Sequence, residues 1–317
     1  MPPLASLLDT VLDRTVVPGY TRLGPAVRRH LPTWPADPEP DALAGARALV
    51  TGASSGLGIA TVEGLAALGA EVVLVVRDTD KAARVVREVQ ERHPLARFDV
   101  QRCDVADLDD VRRFAASVDA DVDVLVHNAG AMPPERTESP QGHEQTMALH
   151  VLGPVLMTDL LAAHLRGGRV VLVSSGGMYA QRLRDDDPEY LDGDYSPTTA
   201  YARSKRAQVE LLPILQRRWE PAGVAVHAMH PGWADTPGVQ DSLPTFRRVT
   251  GPLLRDAAGG ADTTIWLAAS QPAPAGGLFW HDRRPRPTQL LPSTRTGESE
   301  RQRMWSWVQS QTGLVAG

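Results

Sequence analysis

Cysteine is nearly absent from this 317-residue sequence: Cys103 stands alone, which excludes an internal disulfide and a four-cysteine metal site. No apolar run reaches the ~18 to 20 residues that would span a bilayer. A basic excess is missing too. The net charge is −5, which argues against a general nucleic-acid binder. The first residues lack the basic-then-apolar order of a secretory signal, so a cytoplasmic compartment is expected. Internal repeats and low-complexity blocks are not found. His127, His143, His164, His227, His230 and His281 lack metal-ligand spacing, and no metal is assigned. What remains, 42% hydrophobic and 22% charged, describes an ordinary globular chain with room for one large α/β domain or two small ones.

The stretch Arg47 to Gly58 organises the rest. A short apolar run (Ala48, Leu49, Val50) leads into Thr51-Gly-Ala-Ser-Ser-Gly-Leu-Gly58, and a helix-length segment with Ala and Leu at helical spacing follows. Strand, glycine turn and helix in that order open a mononucleotide-binding unit. Gly52 permits a tight turn, Gly56 lets backbone approach a pyrophosphate, and Gly58 lets the helix pack closely on the strand. Phosphates are then expected at the helix N-terminus, where free N–H groups favour negative charge.

From residue 45 onward β and α patterns alternate. Strands are expected near 46–51, 71–76, 97–102, 122–127, 169–174, 224–229 and 277–280, with helices near 56–68, 79–92, 107–118, 141–165, 200–219 and 256–269. Runs such as Val72-Val-Leu-Val-Val76 do not alternate with polar residues, which suits a parallel sheet buried on both faces. The fold class is therefore α/β, a doubly wound parallel sheet with ligands at the carboxyl ends of its strands.

Residues 1–44 read as an N-terminal extension and linker, with the dinucleotide-binding catalytic domain and its tail over 45–317. Leu4, Leu7, Leu8, Val11 and Leu12 make one apolar helix face. A helix packed on the body is the reading taken. An interfacial membrane helix is the alternative, and Asp9 and Asp13 beside a single Arg14 speak against it.

Five signals then occur in order: Thr51 to Gly58, Asn128-Ala-Gly130, Ser174-Ser175, Tyr201-Ala-Arg-Ser-Lys205, and Pro231-Gly-Trp-Ala-Asp-Thr236. Over residues 45 to about 280 this resembles the short-chain dehydrogenase/reductase superfamily. Ser174 to Met178, His230 to Val239 and Gly260 to Thr263 look like its dehydrogenase/reductase member-twelve branch.

Tyr201 and Lys205 are four apart and share a helix face, so the ammonium sits near the phenol. A neighbouring cation favours phenolate and lowers a pKa that is ordinarily near ~10. Of the five tyrosines, Tyr201 is the one with lysine at that spacing. Tyr201 is assigned as general acid/base. The resemblance implies that Lys205 also meets the nicotinamide ribose. Ser175 is assigned to hold the substrate oxygen, with Ser174 its nearest competitor. An insertion over 181–196 accounts for their separation from Tyr201, as in retinol-dehydrogenase-like members.

At the end of the second strand, Val76 stands where an acid would bond an adenosine ribose, and Arg77 follows. Arginine suits a phosphate, so NADP(H) is expected rather than NAD(H). The resemblance adds Asp104 and Val105 at the adenine ring, Asn128, Ala129 and Gly130 beside the cofactor, and Pro231, Gly232 and Thr236 at the nicotinamide amide. Ser54, Ser55 and Leu57 belong to the phosphate turn. His150 departs from the resemblance, because asparagine normally holds the proton-relay water there. His150 is nonetheless kept among the catalytic residues, with its own titration expected near ~6 to 7.

Trp233, Met178 and the segment with Leu243, Phe246, Leu253 and Leu254 suggest an apolar cleft. Arg247, Arg248 and Arg255 are assigned either to an anionic substrate group or to solvent. A short C-terminal helix with Met304, Trp305, Trp307 and Val308 is expected to dock on the domain or on a partner subunit. Helices 141–165 and 200–219 are where the resemblance places a homo-oligomer contact. The reading is an NADP(H)-dependent oxidoreductase acting on a small-molecule carbonyl/alcohol pair of apolar character. Its rival is a cofactor-binding sensor or scaffold subunit without turnover.

Overall fold

The computed structural model describes residues 2–236, 240, 247–248 and 250–315. Valine, leucine and alanine fill β1 (Arg47–Thr51), β2 (Glu71–Val76), β4 (Val124–His127) and β5 (Arg169–Val173), with β3 (Arg97–Arg102), β6 (Ala225–Met229), β7 (Leu278–His281) and β8 (Arg284–Pro285) beside them. Among the described residues they form one sheet in the order β3-β2-β1-β4-β5-β6-β7-β8, parallel everywhere except between β7 and β8. Successive side chains go to opposite faces. Leu49, Leu125 and Val170 enter one core, while Val50, Val126 and Val171 enter the other. Both faces are thus covered, as the unalternating strands require. The seven expected strands are all present. The two-residue β8 was not foreseen, since nothing in Arg284-Pro285 reads as a strand.

The strand order reverses between β1 and β4, which opens a crevice at their carboxyl ends. Around it stand α4 (Gly56–Ala67), α5 (Thr79–Arg92), α6 (Leu108–Ser117) and α9 (Pro197–Trp219). Asp78 starts α5 by accepting from the Lys81 N–H at 2.8 Å, and Asp107 starts α6 by accepting from the Asp109 N–H at 3.1 Å. The helix expected over 141–165 is shorter and broken. It runs as α7 (Gln145–Met147), a π turn (Ala148–Leu152) and α8 (Gly153–Leu160). The widened turn places His150 inward and brings Gly153 against the Val105 carbonyl, where a Cβ would lie 1.9 Å away.

Helix α10 (Ala257–Ala269) covers the other face against α4. The C-terminal helix α11 (Glu298–Thr312) buries Met304, Trp305 and Val308 against the domain, and Arg301 meets Glu210 of α9 at 2.9 Å. It lies over α9 and the π turn.

The N-terminal segment forms α1 (Pro2–Arg14), α2 (Val17–Tyr20) and α3 (Leu23–Arg28). Helix α1 is turned opposite to the arrangement its apolar stripe suggests. Asp9 and Asp13 are buried, while Leu4, Leu7, Leu8 and Val11 are exposed. Charge explains it. Asp9 receives Arg28 Nε at 2.8 Å and Arg286 at 2.8 and 2.9 Å, and Asp13 lies 3.3 Å from both His281 and Arg286. Arg28 also pairs with Asp282. Arg28 of α3 and Arg286 from the far end of the chain thus outweigh the apolar stripe.

Candidate active site

The glycine turn after β1 is built as its residues require. Gly52 sits at φ +65° and Gly56 at φ +50°, both in the left-handed region. A Cβ on Gly52 would lie 2.7 Å from Ala129 Cα, and one on Gly58 2.3 Å from the Gly52 carbonyl oxygen. Asn128 bridges the two strand ends, donating from its amide to the carbonyls of Thr51 (3.1 Å) and Gly52 (3.2 Å). In return the Thr51 hydroxyl accepts the Asn128 and Ala129 N–H groups.

These residues border a cleft of about 690 Å³. The residues expected to hold a cofactor all line it except Gly58, which packs behind the turn. Reasoning on the sequence missed Lys81, Met132, Leu149 and Thr198, which line it as well. Lys81 carried a signal, since it lies four residues after Arg77 at a capped helix start. Leu149 carried none, because its orientation depends on the π turn.

At the floor of the cleft, Ser174 and Ser175 divide. The Ser174 hydroxyl donates to the Lys205 carbonyl at 3.1 Å and is buried. Burial pushes the Tyr201 phenol pKa up, and the neighbouring Ser175 hydroxyl pulls against that push. The Ser175 hydroxyl also accepts the Gly177 N–H at 3.2 Å. Lys205 Nζ donates to the Val173 carbonyl at 2.8 Å and lies 5.6 Å from the Tyr201 ring centroid. Burial brings the Lys205 pKa down to about 7.

His150 stands behind Tyr201, with ring centroids 5.3 Å apart, and does not line the cleft. Its Nε2 accepts the Ala131 N–H at 3.3 Å, so the ring proton belongs on Nδ1, which donates to Ser204 Oγ at 2.8 Å. Ser204 passes the chain on to the Tyr201 carbonyl, also at 2.8 Å. Burial, then Lys205, holds the His150 pKa well below the ordinary histidine value. That departs from the titration near ~6 to 7 expected of a solvent-linked imidazole. The His150 carbonyl receives the Gln208 amide at 2.7 Å.

At the far end Arg77, Lys81, Asp78 and Asp104 meet. Arg77 is mostly exposed and lies 3.8 Å from Asp104. The Asp78 carboxylate is engaged at the start of α5. A glycine turn at a helix N-terminus, two cations at one end and a Ser-Tyr-Lys cluster at the other fit a nicotinamide dinucleotide.

Other expectations find different places. Met178 is sealed in the core, 3.3 Å from Arg206, and does not shape the cleft, whereas Trp233 does. Arg255 is buried between Asp282 and the carbonyls of Gly19 and Tyr20, so no substrate group reaches it. Arg247 pairs with Asp235 at 2.8 Å, Arg248 is exposed, and Leu254 is buried. Leu243 and Phe246 lie outside the described residues.

A sheet of this order with this cleft defines a dinucleotide-binding enzyme fold. The family profile described as short chain dehydrogenase matches residues 46–184. A Bos taurus protein, dehydrogenase/reductase SDR family member 12, is 38% identical over 260 residues, covering 79% of this chain and 80% of its own. A Streptomyces sp. (strain C5) protein with the provisional name daunorubicin C-13 ketoreductase is 37% identical over 252 residues, 76% of this chain and 85% of its own. The solved structure of an uncharacterised Mycobacterium paratuberculosis protein shares 31% identity at TM-score 0.70, covering 87% of this chain and 98% of its own. The chain belongs to the short-chain dehydrogenase/reductase family, in the branch of family member 12, and is an NAD(P)-dependent oxidoreductase.

Proposed function

We propose that this enzyme interconverts a carbonyl and an alcohol with NADP(H), on a substrate of apolar character. The observation that carries the reading is the convergence of Ser175, Tyr201 and Lys205 on one cleft, with Lys205 Nζ 5.6 Å from the Tyr201 ring centroid. When bound, the nicotinamide cofactor supplies or accepts the hydride. Ser175 holds the substrate oxygen in line with Tyr201, and the Tyr201 phenol gives its proton to that oxygen or takes it back. Enclosure keeps the phenol protonated, which suits donation, and the Ser175 hydroxyl eases its loss. Lys205, fixed on the Val173 carbonyl, would in its protonated form favour the phenolate that remains, and it is the residue that would hold the cofactor ribose.

His150 acts as a neutral positioning residue that ties the Tyr201 backbone to the Ala131 loop through Ser204. Gly52, Ser54, Ser55, Gly56 and Leu57 would hold the pyrophosphate, and Asp104 and Val105 the adenine. Asn128, Ala129 and Gly130 would border the ribose, with Pro231, Gly232 and Thr236 at the nicotinamide. Arg77, joined by Lys81, supports NADP(H), because Val76 ends β2 where an acid would bond the ribose, and the Asp78 carboxylate is engaged by the Lys81 N–H. Trp233, Leu149 and Met132 give the substrate end its apolar lining, and the Streptomyces relative's name is that of a ketoreductase.

A sensor without turnover would have no use for the Ser175–Tyr201–Lys205 geometry. A homo-oligomer built on α8 and α9 would have to accommodate α11, which packs on α9. The cytoplasm is the compartment we assign, supported by the lone, buried Cys103. The test is to follow NADPH absorbance against a panel of ketones and aldehydes, and NADP+ against the matching alcohols. Absence of turnover across apolar members, with cofactor binding intact, would favour the sensor.

A further inference from the structure

Among the described residues, eight of the thirteen exposed large hydrophobic side chains fall between Leu4 and Val27. On α1 they are Leu4 (73% exposed), Leu7 (59%), Leu8 and Val11, at the i, i+3, i+4, i+7 spacing of one helix face. On α3 they are Leu23 and Val27, again four apart. A concentration of this kind on one small helical appendage marks a contact surface.

The charges around it have one sign. Asp9 and Asp13 are the acidic residues of the first thirty, and both are buried against Arg28, Arg286 and His281. What the appendage shows to solvent is Arg14, Arg22 and Arg29. Arg29 is 54% exposed and reaches Asp262 only at 3.4 Å. The linear sequence, with two aspartates beside one arginine, reads as unsuited to an anionic partner. The fold reverses that by consuming both carboxylates inside.

We propose that the appendage Pro2–Arg28 docks on an anionic lipid bilayer surface. Leu4, Leu7, Leu8 and Val11 enter the headgroup region, and Arg14 and Arg22 meet lipid phosphates. Two further facts point to lipid rather than to a second copy of the chain. A self-complementary contact would bring the same arginines of both copies together with no exposed acid to answer them. No helix of the described residues is long and apolar enough to cross a membrane, so the contact lies in the plane of the interface. The buried ion pairs hold α1 in place, so its apolar face is presented without unfolding.

The test is flotation of the full chain with vesicles of phosphatidylcholine alone or with about one-third phosphatidylglycerol. The chain should float with the anionic vesicles and release as salt rises. Leu7→Ser with Leu8→Ser should weaken partitioning at least roughly tenfold, the scale of two exposed leucines. Arg14→Gln with Arg22→Gln should weaken it about fivefold per arginine on anionic vesicles and little on neutral ones. All four positions are exposed, so thermal midpoints and NADP(H) binding should match the unmutated protein. Failure to float with anionic vesicles would overturn the proposal. So would equal binding to both vesicle types, or a soluble dimer that Leu7→Ser with Leu8→Ser dissociates.

Discussion

Lys205 is held by Val173: its Nζ lies 2.8 Å from that carbonyl at the last residue of β5, fully buried beneath the cleft. A lysine so placed favours its neutral form, and its pKa falls to about 7. Between that value and the ordinary ~10.4 the unfolded chain binds the extra proton, so this group makes stability rise with pH. The slope expected is up to about 1.4 kcal/mol per pH unit. Urea unfolding at several pH values across that window, for wild type and Lys205→Met, checks it. Parallel curves would mean that Lys205 is not depressed.

Ser174 and Ser175 should separate by readout. Ser175→Ala and Tyr201→Phe should each lower turnover by at least ~10²-fold while leaving cofactor affinity near wild type. Ser174→Ala removes a bond to the Lys205 carbonyl and should cost about 1 kcal/mol of stability with turnover nearly kept. Reversed effects at the two serines would exchange their roles.

The proposed NADP(H) preference rests on Arg77. Arg77→Ala should narrow the affinity gap between NADPH and NADH by ~1 to 3 kcal/mol, and Lys81→Ala should narrow it further. Calorimetric titration with both cofactors measures the gap. Equal affinities in the unmutated protein would end the assignment.

His150→Asn should leave the pH profile of kcat unchanged, because the ring is neutral throughout the working range. His150→Ala should cost about 1 to 3 kcal/mol of stability, since it strips the Ala131 N–H and Ser204 Oγ of their partner. Loss of an inflection near pH ~6 to 7 in either variant would restore a proton-relay role.

Acid should unfold the protein early. His127 and His227 are pushed by burial to about 3 and about 4, and His150, His230 and His281 well below their ordinary value. Below pH ~6.5 the unfolded chain binds protons that the folded one refuses. Stability is therefore present above that pH and falls as it drops, by up to about 1.4 kcal/mol per unit for each histidine. Thermal midpoints from pH 7 down to 5 should decline, and a flat profile would contradict the burial-driven shifts.

Much of the cleft was legible because it depends on local chemistry. Gly52, Gly56 and the Tyr201-Lys205 spacing each follow from turn geometry or helix periodicity, Asn128 follows from the family resemblance, and the structure places all of them on one cleft. What was not legible depends on distant partners. The stripe Leu4-Leu7-Leu8-Val11 reads as an inward face until Arg28 and Arg286 are known to meet Asp9. Met178 reads as a cleft residue until Arg206 is seen beside it. His150 reads as a titrating group until a π turn seals it. In each case a contact remote in sequence overrode a correct local signal.

The pairing of Asp9 with Arg286 joins residues 277 positions apart. During synthesis Asp9 can meet Arg28 of α3 early, but it waits for most of the chain before Arg286 arrives. The orientation of the N-terminal helix is fixed only when β7 and the residues after it are made. An early segment and a late one thus close on each other across most of the chain's length.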